Sequence, residues 1–253
     1  MKRFVSDDKF TIFLTNKVKG MKTFIKVTGM AVVGLVTLLP LKAQDKFEVS
    51  GGVDLVSNYV WRGMDQASGA SFQPALGLSY KGVSLGAWGS SSITDLDPQE
   101  FDITLGYSTG GFGISITDYW WAGTDAPYGH YKDSHFFEGT ISYNFGEKCP
   151  LTLSWSTMFA GGDKDESGDR YYSSYFSAAY DISLPKEITL TPAIGINPYK
   201  SMYDKDFNVM DISLKAAKDI KITDNFAIPL FVQAIVSPAC DHTYLVAGFN
   251  VGF

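Results

Sequence analysis

The chain has 253 residues, with 27 Asp and Glu against 21 Lys and Arg, and a formal net charge of −6. That acidic balance leaves no basic footprint for nucleic acid, which excludes nucleic acid as a partner. Hydrophobic residues at 45% suit a soluble core and a lipid-facing wall equally, so the pattern along the chain has to decide.

Met21 to Gln44 reads MKTFIKVTGMAVVGLVTLLPLKAQ, with Lys22 and Lys26 ahead of an apolar run and the small residue Ala43 near its end. Basic flank, apolar run and small residue are the pattern of a secretory signal peptide. The run is short of the roughly 20 apolar residues that a spanning helix needs, and Gly29, Gly34 and Pro40 interrupt it. Residues 1–20 have no such pattern, which makes Met21 the expected start and residues 45–253 the exported domain. Without residues 1–44 the chain loses eight basic and two acidic residues and keeps 13 and 25, a formal charge of −12.

From Phe47 onward the side chains alternate with period 2, and the helical template fits nowhere convincingly. About twelve strands are predicted: Phe47 to Trp61, Ser71 to Tyr80, Val83 to Ile93, Gln99 to Ser108, Phe112 to Trp121, Ser134 to Phe145, Leu151 to Phe159, Tyr171 to Leu184, Glu187 to Tyr199, Phe207 to Ile220, Asn225 to Ser237 and His242 to Phe253. Each reaches about the 9 to 11 residues that carry a tilted strand across a bilayer. Short turns such as Lys81-Gly82, Thr109 to Gly111 and Pro185-Lys186 alternate with longer polar loops such as Ala122 to Asp133 and Ala160 to Arg170. This reads as an all-β, transmembrane, antiparallel up-and-down barrel with short periplasmic turns and long external loops.

The final strand, YLVAGFNVGF, ends on an aromatic residue. Phe249, Val251 and Phe253 form the expected signal for the barrel assembly machinery of a Gram-negative outer membrane. Aromatic girdles are expected from Tyr59, Trp61, Trp120, Trp121, Tyr171, Tyr172 and Tyr199 at the outer rim, and from Tyr80, Tyr107, Tyr143, Phe145 and Phe226 at the inner one.

If the apolar parity faces lipid, the lumen receives Glu48, Asp54, Asn58 and Arg62 from the first strand. Later strands add Gln73, Glu100, Asp102, Glu138, Tyr175, Asp181, Asp211, Lys215, Gln233 and Asn250. Asp118 breaks the rule by sharing a phase with Ile114 and Ile116, which calls for a rim position or a bulge. Arg62 either sets up a transverse field at a pore mouth or pairs with Glu100 or Glu138. Trp88, Tyr175 and Tyr244 are either a sugar-stacking track or plugs of a narrow lumen.

The stretch Ser57 to Ser68 (SNYVWRGMDQAS) followed by Gln73 to Ser92 (QPALGLSYKGVSLGAWGSSS) resembles the Gcw_chp or TorF-like family of outer-membrane porins. Asn58, Tyr59, Arg62, Gly63, Gln66, Ser68, Trp88 and Ser90 occupy the matching positions, while Ala67 interrupts the Gln-Ser pair and Ser91-Ser92 replace Asn-Val. The resemblance implies an outer-membrane barrel and no reaction.

Enzymatic readings find little support. Gly82 to Gly86 and Gly106 to Gly110 match G-x-S-x-G, but no helix follows either, as a nucleophile elbow requires. Ser134 and His135 are adjacent in a strand and point to opposite faces. Asp163, Asp165 and Asp169 imitate the start of a calcium loop, yet Ser174 stands where a bidentate Glu belongs. The expected function is passive diffusion of small polar solutes or cations, without cofactor, in a membrane of lipid and lipopolysaccharide. A plugged structural or receptor barrel is the alternative, and a barrel lipid hydrolase is the third reading.

Overall fold

The computed structural model describes residues 46–67, 69–94, 99–121, 127–132, 134–224 and 226–252. The predicted signal segment and Phe253 lie outside the described residues. The wall is built from β1 (Glu48–Val56), β4 (Ser71–Tyr80), β5 (Val83–Ser92), β6 (Gln99–Thr109), β7 (Phe112–Trp121), β8 (His135–Asn144), β9 (Leu151–Gly161), β10 (Ser174–Tyr180), β11 (Ile182–Leu184), β12 (Ile188–Asn197), β13 (Asn208–Thr223), β14 (Phe226–Ser237) and β15 (His242–Gly252). Two further strands, β2 (Tyr59–Trp61) and β3 (Met64–Ala67), pair only with each other.

Sequential wall strands pair antiparallel, and the sheet closes where β1 meets β15. Both β10 and β11 pair with β12, so they are two halves of one strand interrupted at Asp181, and the barrel has 12 staves. Closure is what makes the wall viable in lipid, because an open edge would leave backbone groups without partners.

Alternation sets the two faces. Leu76, Leu78, Leu85, Leu105, Ile114, Ile116, Ile141, Leu214, Val232 and Leu245 project outward and are exposed, while Ser71, Gln73, Ser90, Asp102, Thr117, Ser156 and Gln233 project inward and are buried. An apolar outside around a polar inside is a soluble protein inverted, the arrangement of a transmembrane barrel. Exposed Tyr107, Tyr143, Phe145 and Phe226 form the inner girdle.

Strand bounds otherwise match the alternation closely, but the first strand does not run from Phe47 to Trp61. It leaves the wall after Val56, whose partner on β4 is Ser71, the first residue of that strand. Further extension would have no neighbour on that side. The Ser57 N–H instead donates to the Ala247 carbonyl at 2.7 Å, and its hydroxyl accepts the Ala247 N–H at 2.9 Å. The chain then folds into the lumen as the β2–β3 hairpin. Tyr59 and Trp61 are buried there and belong to the interior, not to the outer girdle.

No bulge disturbs Asp118. It pairs in regular register with Ile103 and Phe137 and faces outward at the outer rim. Its carboxylate meets His135 Nδ1 at 2.7 Å, while His135 is fully buried beneath stacked Tyr131 and edge-on Tyr128. A charged group on this face is tolerated because it is near the interface and already paired. Cys149 lies in the turn between β8 and β9 at the inner end, and Cys240 in the turn between β14 and β15 at the outer end; both thiols are free.

Candidate functional site

The hairpin turns on Arg62 and Gly63, with φ of 51° and 77°. Two successive positive φ values are the signature of a type I′ turn, whose twist matches that of its flanking strands. At Gly63 a Cβ would collide with the Met210 carbonyl oxygen and lie 2.8 Å from Ser237 Oγ, so glycine lets the tip seat against β13 and β14. Val60 packs on Val56, Ile235 and Val246, which holds one flank of the hairpin to the inner face of β14 and β15. The other flank is aromatic: Tyr59 meets Trp88 at 5.5 Å, and Trp61 meets Tyr119, Trp121 and Tyr203 at 6.0, 5.6 and 5.7 Å.

This seating delivers Arg62 into the lumen. Its Nη2 donates to Glu138 at 2.8 Å, its Nη1 donates to the Tyr203 hydroxyl, and its guanidinium lies 4.5 Å from the ring centroids of both Trp61 and Tyr175. Glu138 also accepts the Tyr119 hydroxyl at 3.0 Å, and Tyr175 donates onward to Asp211 at 2.6 Å. Arg62 is only 4% exposed, so its charge is carried by these partners and not by water. Burial raises the Tyr203 hydroxyl well above its ordinary pKa, against the pull of Arg62, which keeps it a neutral donor and acceptor.

A second charged group lies elsewhere along the lumen. Lys215 on β13 interacts with Asp54 and Asp181 and lies over the Phe231 ring at 4.2 Å. Asp54 accepts Asn250 at 2.8 Å, and Asp181 accepts Thr191 at 2.6 Å.

Of the pore-lining residues expected from parity, Asp54, Glu100, Asp102, Glu138, Tyr175, Asp211 and Lys215 all face inward on wall strands, and Asp181 does so at the break in the eighth stave. Glu48 is exposed at the inner rim. Asn58 and Arg62 are inside the barrel but not on its wall, which corrects their assignment to the first strand. Of the two acids considered for Arg62, Glu138 is its partner, while Glu100 accepts the Tyr59 hydroxyl. Phe249 and Val251 lie on the outward face of β15 opposite Leu55 and Val53.

The three candidate calcium ligands do not converge. Asp163 binds the Ser173 N–H and hydroxyl at 3.0 and 2.5 Å, whereas Asp165 caps its own loop through Ser167 and Asp169. The Ser167 hydroxyl is the main reason that the Asp165 carboxyl lies below the usual range. Among the described residues no group of three or more His, Cys, Asp or Glu is arranged to hold a metal.

Tyr119 and Tyr203 were missed by sequence reasoning, since isolated tyrosines in a barrel carry no signal of their own. The hairpin did carry one: Arg-Gly between YVW and MDQA marks a turn between two short strands.

Residues 41–233 match the profile of Gcw_chp, described as a bacterial protein of unknown function. The chain belongs to this family. The Arg62–Gly63 turn that seats the hairpin therefore falls within the region that the family shares. The comparison with curated proteins finds no match. Among solved structures, the KdgM porin aligns at 10% identity over 81% of this chain and 98% of its own, with a TM-score of 0.48. A variant of the Rh. blastica porin aligns at 16% identity over 72% of this chain and 55% of its own, with a TM-score of 0.38. The translocator domain of the autotransporter NalP from Neisseria meningitidis aligns at 9% identity over 96% and 95%, with a TM-score of 0.33.

Proposed function

We propose that this protein is an outer-membrane diffusion channel for small polar solutes or cations, constricted by its own first external loop. The observation that carries this reading is the inward hairpin, which sets Arg62 against Glu138 inside an otherwise polar lumen. A twelve-stranded barrel lies between the eight-stranded kind, filled by side chains, and the sixteen-stranded kind with a wide channel. A loop folded into such a bore leaves a passage suited only to small solutes. Phe249, Val251 and Phe253 would present the chain to the assembly machinery, and the external loops would face lipopolysaccharide. No step of this function requires a cofactor or a catalytic residue.

The plugged barrel is the second reading, favoured by the near-complete burial of Arg62 and Asp102 at the level of the hairpin. Planar-bilayer recordings of the intact protein, and of a variant with residues 58–69 replaced by a short Gly-Ser turn, separate the two. Small steps that grow in the variant support the constricted channel. A silent intact protein with a conducting variant supports the plug, and silence from both overturns the channel.

A further inference from the structure

The lumenal charges divide unevenly. Arg62 is engaged by Glu138 and reaches Asp211 through Tyr175, and Lys215 interacts with Asp54 and Asp181. Glu100 and Asp102 have neither base as a partner. They lie two residues apart on the inner face of β6, about 7 Å along the strand, so both carboxylates enter the same part of the lumen.

Asp102 is 1% exposed, and neither of its carboxylate oxygens has a hydrogen-bond partner. Gln73 is equally buried; its amide nitrogen bonds Ser90 at 3.2 Å, the cross-strand neighbour of Glu100, which leaves its Oε1 without a partner on the same wall. Carboxylates buried here keep their charge only beside a positive counterpart, and without one they hold protons instead. Rings enclose the place: Trp88 and Tyr119 flank Asp102 in register, and Tyr59 and Trp61 of the hairpin pack on those same two rings.

We infer that Glu100, Asp102 and Gln73 form a binding site for a small monovalent inorganic cation, roofed by the hairpin. The donors are hard oxygens, which suit alkali and alkaline-earth ions. Calcium and magnesium call for six or more oxygens in a dedicated shell, and among the described residues no third carboxylate is placed to share a metal with these two. A permeating ion must also leave, so a site of modest charge at a constriction is suited to selecting without trapping. In this role the site rests on the channel reading and names the solute class.

Two measurements test it. Reversal potentials in a KCl gradient should show cation preference, and Asp102→Asn and Glu100→Gln should each reduce the cation-to-anion permeability ratio by about fivefold. An unchanged ratio in both variants overturns the site while leaving the channel intact. If the intact protein conducts nothing, the channel reading fails, and the site is judged by thermal unfolding in detergent. The midpoint should be higher in KCl or NaCl than in N-methylglucamine chloride of equal ionic strength, and this difference should vanish in Asp102→Asn. Equal midpoints for the intact protein would mean that the carboxylates hold no metal cation, and would overturn the site.

Discussion

Arg62 and Glu138 lie 76 residues apart in the chain and meet at 2.8 Å inside the barrel, with about 2% of either side chain exposed. One comes from an external loop and the other from the far wall, so their contact converts a loop into a lumenal constriction. Removing one partner of a buried pair leaves the other charge uncompensated, which typically costs ~3 to 5 kcal/mol. Arg62→Ala is expected to lower stability by that order and to raise single-channel conductance. Arg62→Ala with Glu138→Ala should be less destabilised than the sum of the single variants, measured by urea unfolding followed through tryptophan fluorescence. Strict additivity would mean that the pair does not hold the hairpin.

Gly63→Ala should act on the same hairpin by a different route. The added methyl meets the Met210 carbonyl, and the positive φ disfavours it as well. The expected result is a loosened hairpin with Arg62 still present, read as increased conductance and faster protease cleavage between residues 58 and 69. Unaltered cleavage would show that the tip does not need its close seat.

Gly195→Ala tests the other end of the Arg62 network. A Cβ there would occupy the space of the Tyr175 hydroxyl and the Asp211 carboxylate. The substitution should break the Tyr175 to Asp211 bond and destabilise the barrel by about 1 to 3 kcal/mol, and Tyr175→Phe in the native background, which removes the same donor from the carboxylate, should cost about as much. Equal stability of Gly195→Ala and the native protein would sink this prediction.

His135→Ala would leave the Asp118 carboxylate unpaired on the outward face. A partly exposed acceptor deprived of its donor costs about 1 kcal/mol, so thermal unfolding should shift downward. Asp118→Asn added to His135→Ala should recover part of the loss. Recovery is expected because an amide on that face demands no counter-charge.

The two thiols report topology. Cys240, at the outer end, should react with a membrane-impermeant maleimide on intact cells, while Cys149, at the inner end, should react only after the outer membrane is opened. Labelling of Cys149 first would invert the barrel.

Much of this architecture is local and therefore legible in the sequence. Period-2 alternation arises from the strand itself, and the exchange of short turns with long loops follows from the two sides of a membrane. Those signals located eleven of the twelve staves to within a few residues, and they placed Asp102, Glu138, Asp211 and Lys215 on the inner face. They failed between Asn58 and Ala67 because a short hairpin and the end of a wall strand share the same alternation. What separates them is the supply of partners: β4 begins opposite Val56, so on that side the first strand has no neighbour to continue along. The lumen supplied the rest, through Glu138, Tyr175 and Tyr203, which lie 76, 113 and 141 positions from Arg62. Only closure of the barrel brings groups so distant in the chain together, and only then is it decided which carboxylates gain a base and which, on β6, are left without one.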